Sequence, residues 1–197
     1  MAAGIIDTFQ FEATLKVWAF NRILRHSESN NTYIIAYPKG LTFGQTGWVA
    51  TLNILNDGTI DSVLDTLKIE DTAWCDEVDL IKAHDGVYAA AYRSTGTDNG
   101  WIKTFLISAA GGIGSSTESS LQFETGYANC PCIVPVSGNY FAIAYQGPDV
   151  DGWLKTKPEN WQTMLEPGTA EEVAKKTGVL ITSIRHFTRE GLAKIKE

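Results

Sequence analysis

The stretch YFAIAYQGPDVDGWLKT, residues 140–156, decides how this chain is read. It alternates large and small apolar residues, turns at Gly147, Pro148 and Asp149, and resumes with Gly152 and Trp153. That is an apolar strand, a turn and a second strand. The same pattern occurs three times. Residues 87–107 read VYAAAYRSTGTDNGWIKTFLI, and residues 32–54 read TYIIAYPKGLTFGQTGWVATLNI. The second tyrosine of each copy gives Tyr37, Tyr92 and Tyr145, spaced by 55 and 53. The tryptophan gives Trp48, Trp101 and Trp153, spaced by 53 and 52. A repeat of that period outranks any local reading of the fold.

The repeat extends toward the N-terminus. Phe9 to Glu12 (FQFE), Leu67 to Glu70 (LKIE) and Leu121 to Glu124 (LQFE) are equivalent short strands. Alternation in each puts one face inward. A less regular linking strand follows each, at residues 21–26, 78–83 and 132–136. The units are therefore 7–54, 65–107 and 119–156, with strands in the order short, linking, tyrosine, tryptophan. Four antiparallel strands in roughly 40–53 residues is the pattern of a propeller blade. The predicted fold is mainly β. Three four-stranded antiparallel propeller-like repeats occupy residues 1–156, a linker follows at 157–168, and a small helical hairpin at 169–197. A β-trefoil, which also uses three four-strand units, is the alternative. Ala36, Ala91 and Ala144 suit close packing. The tyrosines and tryptophans are read as filling between sheets rather than as a ligand groove.

The patterns CPCIVPVSGNYFAIAYQGPDVDGWLKT and VDLIKAHDGVYAAAYRSTGTDNGWIKT resemble the tandem β-propeller repeats of archaeal and environmental bacterial proteins. The resemblance covers about residues 7–156 and transfers no catalytic residue. The first copy departs from it, since Val49-Ala50-Thr51 lacks the lysine of the other two. Three units are too few for a ring of four to eight blades. A homodimer closing a six-bladed ring is one expectation, and an open arc is another.

Residues 157–168 carry Pro158, Pro167 and Gly168 as punctuation. Thr169 and Glu172 form a capping box, and a helix over 170–176 ends at Gly178. A second helix is expected from about Thr182 to Arg189. The segment EEVAKKTGVLITSIRHFTREGL resembles a helix-turn-helix of the MerR/excisionase kind. That resemblance implies duplex DNA as a partner, contacted by Thr182, Ser183, Arg185, His186, Arg189 and Lys194. The bland reading is a capped hairpin that ties down the C-terminus.

Charge separates these two parts. The chain has a net charge of −7; residues 1–169 hold 10 basic and 19 acidic residues, and residues 170–197 hold 6 and 4. No apolar run approaches the ~18–20 residues of a membrane helix. No basic segment followed by an apolar one opens the chain, so the expectation is a cytoplasmic protein without a membrane partner. The three cysteines, Cys75, Cys130 and Cys132, read as buried small residues, not as a disulfide framework or a metal site. His26, His84 and His186 lie in different units. Asp149, Asp151 and Gly152 hint at a calcium loop, but Trp153 stands where a further oxygen ligand belongs. No cofactor is predicted. Recognition usually sits on loops held by a rigid scaffold. The predicted function is therefore a non-enzymatic binding or scaffold module. Its partner, a protein or other macromolecule, is met through the tyrosine–tryptophan loops, with Lys39, Arg93, Asp98, Gln146, Asp149 and Asp151 as candidate contacts.

Overall fold

A computed structural model describes residues 5, 7–13, 16–17, 21–27, 30–40, 45–70, 75–84, 86–94, 96–136, 140–158 and 185–187. The chain is mainly β and forms three antiparallel sheets. The first contains β1 (Lys16–Val17), β2 (Arg22–Ser27), β3 (Thr32–Gly40), β4 (Thr46–Ile54) and β5 (Ile60–Glu70), with β1 and β2 both paired to β3. The second runs β6 (Cys75–His84), β7 (Val87–Ser94), β8 (Asn99–Leu106), β9 (Ser119–Glu124). The third runs β10 (Asn129–Val136), β11 (Tyr140–Gln146), β12 (Gly152–Pro158), β13 (Arg185–Phe187). The tyrosine and tryptophan strands are the central pairs. Tyr37 stands opposite Trp48, Tyr92 opposite Trp101 and Tyr145 opposite Trp153.

The sheets pack face to face in chain order. Ile34, Ala36 and Val49 of the first meet Leu80, Tyr88, Ala90, Tyr92 and Phe105 of the second. On its other face, the second sheet sets Ile81, Ala89, Ala91 and Ile102 against Ile133, Phe141, Ile143 and Tyr145 of the third. Covering both faces removes any need for polar alternation along the middle strand. Residues 88–92 are all fully buried, and they read Tyr-Ala-Ala-Ala-Tyr. The alanines let the next sheet approach, and the tyrosines fill the gap that approach leaves. Strand contacts between sheets run mainly through β6 and β10. On the β5 side, the segment after β8 fills the space between the first two sheets. There Thr51 Oγ1 donates to Gly111 O at 2.6 Å, and Ile113 N donates to Asp65 Oδ2 at 2.7 Å.

The sheets begin one strand later than the units expected at 7–54, 65–107 and 119–156. Residues 67–70 close the first sheet through β5, and residues 121–124 close the second through β9. The cause is local. The tryptophan strand has a free edge that needs a ladder partner. The turn at Leu55–Thr59, with Gly58 at φ 91°, sends the chain straight back along β4. The three sheets remain separate, so the trefoil alternative, which joins its units in one barrel, is not the arrangement found.

At the C-terminal end, Lys157 and Pro158 extend β12 instead of opening a linker. Arg185–Phe187 is a strand, not part of a helix: Gly152 pairs with Phe187, Trp153 with His186 and Leu154 with Arg185. It supplies the exposed edge of β12 with a partner. The helix expected at 170–176 and the rest of the hairpin lie outside the described residues. Among the described residues, no helix is long and apolar enough to cross a membrane.

The Gly-Trp step has a steric reason. A Cβ on Gly100 would lie 2.3 Å from Phe123 Cζ and 2.8 Å from the Ala128 Cβ. On Gly47 it would lie 2.8 Å from Cys75 Sγ. Gly100→Ala is therefore expected to lower stability by about 1–3 kcal/mol. Gly96→Ala, with nothing within 4 Å, is expected to change it little. Urea denaturation of the two variants checks this.

Candidate functional site

Each interface between sheets carries a buried carboxylate, tyrosine and lysine. Glu70, the last residue of β5, accepts from Tyr92 Oη at 2.6 Å and sits 3.1 Å from Lys103 Nζ. Lys103 Nζ also donates to Ile69 O at 2.7 Å. At the next interface Glu124, the last residue of β9, accepts from Tyr145 Oη at 2.6 Å and Lys155 Nζ at 2.8 Å. Lys155 Nζ donates to Phe123 O at 2.7 Å. In both cases the carboxylate comes from one sheet, and the phenol and ammonium come from the next.

The first copy repeats the arrangement with a substitute. Ala50 occupies the position of Lys103, so no lysine comes from β4. Lys39, from β3, reaches Glu12 at 2.6 Å instead and lies 3.6 Å from the Trp48 ring centre. Phe11 stands edge-on to Tyr37 with ring centres 5.0 Å apart, much as Phe123 stands to Tyr145 at 5.3 Å.

These environments shift the three tyrosines and Glu124. Burial raises Tyr37 to about 12, helped by the charge of Glu12. Burial, then the carboxylate bond, drives Tyr92 and Tyr145 far above the ordinary phenol value. Burial would raise Glu124, but Lys155, Tyr145 and the Gly126 amide outweigh it and bring the carboxyl to about 2. In the sequence these residues read as parts of strands, and Lys39 as a loop contact. The signal lay in one glutamate ending each short strand.

The tyrosine–tryptophan loops gather at one end of the sheets. Cys75 N donates to Gln45 O at 2.8 Å, linking the first loop to the start of β6. Ala128 N donates to Asp98 O at 2.9 Å, linking the second to the start of β10. Beneath them are two β-bulges, where Glu77 and Cys130 take φ of 52° and 47°. Glu77 Oε2 accepts from the Cys130 amide and so joins one bulge to the other. Bulges of this kind re-aim side chains beside sites.

The candidate contacts divide. Lys39 is part of the first tie and is mostly buried. Arg93 is clasped by Asp76 at 3.3 Å, Glu77 at 3.4 Å and Asp98 at 3.9 Å, and it lies over the Tyr127 ring. Gln146 accepts from Asn129 Nδ2 at 2.8 Å. These three have partners within the chain. Asp98 is half exposed in a turn at φ 56°, and Asp149 is exposed beside Val150 at φ 63°. Asp151 is partly covered, and its carbonyl accepts from Gly147 N at 2.8 Å. Of the DNA-contact set, Arg185 and His186 are in β13; Thr182, Ser183, Arg189 and Lys194 lie outside the described residues.

Other chemistry is sparse. Cys75 is buried as expected, but Cys130 and Cys132 are exposed on the edge strand β10. Partial burial and nearby acids, Glu77 for Cys130 and Asp79 for Cys132, push both thiols up, away from the reactive thiolate. His26 Nδ1 lies 2.6 Å from Tyr88 Oη, and burial lowers its pKa. Among the described residues, no group of three His, Cys, Asp or Glu could hold a metal ion. A cleft of about 680 Å³ lies along β5. Its Asp65 and Lys103 are already engaged by Ile113 N and Glu70.

Glu124 ionises at about 2 in the fold against an ordinary 4.5, so between those values the folded chain binds fewer protons than the unfolded one. Its contribution to stability is complete above the ordinary value and is lost as pH falls toward 2. Lys155→Met is expected to lower stability at neutral pH and to shrink the further loss on going to about pH 3. Urea titrations at the two pH values read both effects.

No family model matches the chain, and no curated protein matches it.

Proposed function

We propose that this chain is a non-enzymatic binding module. Its three sheets are propeller-like blades, and its acidic loop end receives a cationic segment of a protein partner. The observation that carries the reading is the division of labour among the charged groups. Arg93, Lys39, Lys103 and Lys155 are each tied to carboxylates within or between the sheets. Asp98, half exposed, borders that network at 3.9 Å from Arg93, and Asp149 is exposed beyond it, both on turns anchored to rigid strands. The loop end therefore presents negative charge on a fixed frame, in a chain of net charge −7. Complementary potential of this kind governs partner choice and association rate more than buried area does. The bound group is a lysine- or arginine-rich stretch lying across the turns.

The test is an array of cationic, neutral and acidic peptides, probed with the wild type and with Asp98→Asn/Asp149→Asn. The wild type is expected to select cationic peptides, and the variant to bind them about tenfold more weakly with an unchanged melting temperature. Binding that ignores peptide charge, or that survives the double substitution, contradicts the proposal.

A further inference from the structure

The connections from tryptophan strand to outer strand differ in length. In the first sheet residues 55–59 join β4 to β5, and in the second residues 107–118 join β8 to β9. Both make the same reversal between antiparallel neighbours. The short form achieves it, so the additional residues of the long form are not needed to turn the chain. Long connections in a compact fold commonly carry function.

The long connection is pinned along most of its course. Ile107 N donates to Gly86 O at 2.8 Å, Ser108 N to Gly112 O at 2.9 Å and Gly114 N to Leu106 O at 2.9 Å. Gly112 N donates to Ser108 Oγ at 3.0 Å, and Ile113 N to Asp65 Oδ2 at 2.7 Å. Glu118 N donates to Thr104 O at 2.8 Å. Between the pins at Gly114 and Glu118 lie Ser115, Ser116 and Thr117. Among the described residues, their amides and hydroxyls have no hydrogen-bond partner. All three line the cleft of about 680 Å³ along β5.

Lys68, exposed on β5, lines the same cleft. Lys39, Lys103 and Lys155 are each paired to a glutamate. Lys68 has no ion pair among the described residues, and its Nζ lies 5.6 Å from the Trp48 ring centre. The other charges of the cleft are taken. Asp65 Oδ1 accepts from Thr66 N at 2.8 Å and its Oδ2 from Ile113 N, while Lys103 is held by Glu70 at 3.1 Å. What remains is one ammonium, three hydroxyls and three successive amides. Successive amides form anion-binding concavities, and lysine serves phosphate as a point charge. A phosphate monoester, with three strong acceptor oxygens, uses more of these donors than a carboxylate with two.

We infer that the cleft binds a small phosphorylated molecule, its phosphate held by Lys68 and by the donors of Ser115, Ser116 and Thr117. A cleft of this volume is in the range of ligand pockets and is larger than a phosphate alone fills. The hydroxyl-rich lining suits a polyol as the carrier of the phosphate. This site takes charge opposite in sign to that received by the acidic loop end. Its test uses no peptide, so either reading can fail without the other.

Isothermal titration calorimetry on the full chain, with glycerol phosphate, glycerol, inorganic phosphate and malate, tests the inference. The wild type is expected to bind glycerol phosphate, to bind inorganic phosphate about tenfold more weakly, and to bind neither glycerol nor malate. Lys68→Met and Ser116→Ala are each expected to weaken glycerol phosphate about tenfold with an unchanged melting temperature. Lys82→Met removes an exposed lysine of β6 outside the cleft and is expected to leave binding as it is. A wild type that does not bind glycerol phosphate overturns the proposal. Equal weakening by Lys82→Met and Lys68→Met, or binding that survives both cleft substitutions, overturns the site. Malate bound as tightly as glycerol phosphate overturns the choice of phosphate. Inorganic phosphate bound as tightly overturns the organic ligand and leaves an adventitious ion only.

Discussion

A carboxylate handed from one sheet to the next fixes this structure. Glu70 and Glu124 leave water at the end of an outer strand and meet a phenol and an ammonium that only the following sheet provides. A buried carboxylate without such partners is costly. The sheets are therefore held at one spacing and in one order. Apolar packing alone does not specify this, since many pairs of alanine-rich faces would stack. The tie adds direction, because the glutamate always points up the series.

The rest of the architecture follows from that spacing. Close approach demands alanine on one face and permits aromatics on the other, as along residues 88–92. It also leaves no room for a Cβ before the tryptophan, where Ala128 lies against Gly100 and Cys75 against Gly47. The middle sheet is covered twice and loses alternation. The third sheet keeps it, with Phe141, Ile143 and Tyr145 buried and Ala144 exposed. The turns at the tyrosine–tryptophan end are tied to the following sheets through Gln45 and Asp98 and keep Asp149 exposed.

Much of this was legible in the sequence because the repeat carries the packing rule. Strand content and the burial of Tyr37, Tyr92 and Tyr145 follow from period and alternation, while Trp48, Trp101 and Trp153 are only partly buried. Sheet boundaries were less legible. Leu67 to Glu70 begins a sequence repeat but ends a sheet, and only the Leu55–Thr59 turn decides that. The lysine of the first tie was hidden as well: Ala50 breaks the pattern, and Lys39 restores the charge from another strand. Arg93 read as a loop contact, and its clasp by Asp76, Glu77 and Asp98 was hidden because they converge on it only in three dimensions. Arg185–Phe187 read as helix because the edge that recruits it, Gly152–Leu154, lies about thirty residues earlier.

The central claim is that the glutamate and tyrosine of neighbouring sheets act as one unit. A double-mutant cycle with Glu70→Gln and Tyr92→Phe in the full chain measures this directly. The account predicts a coupling of roughly 0.5–3 kcal/mol between the two positions. Effects that add to within about 0.3 kcal/mol would contradict it.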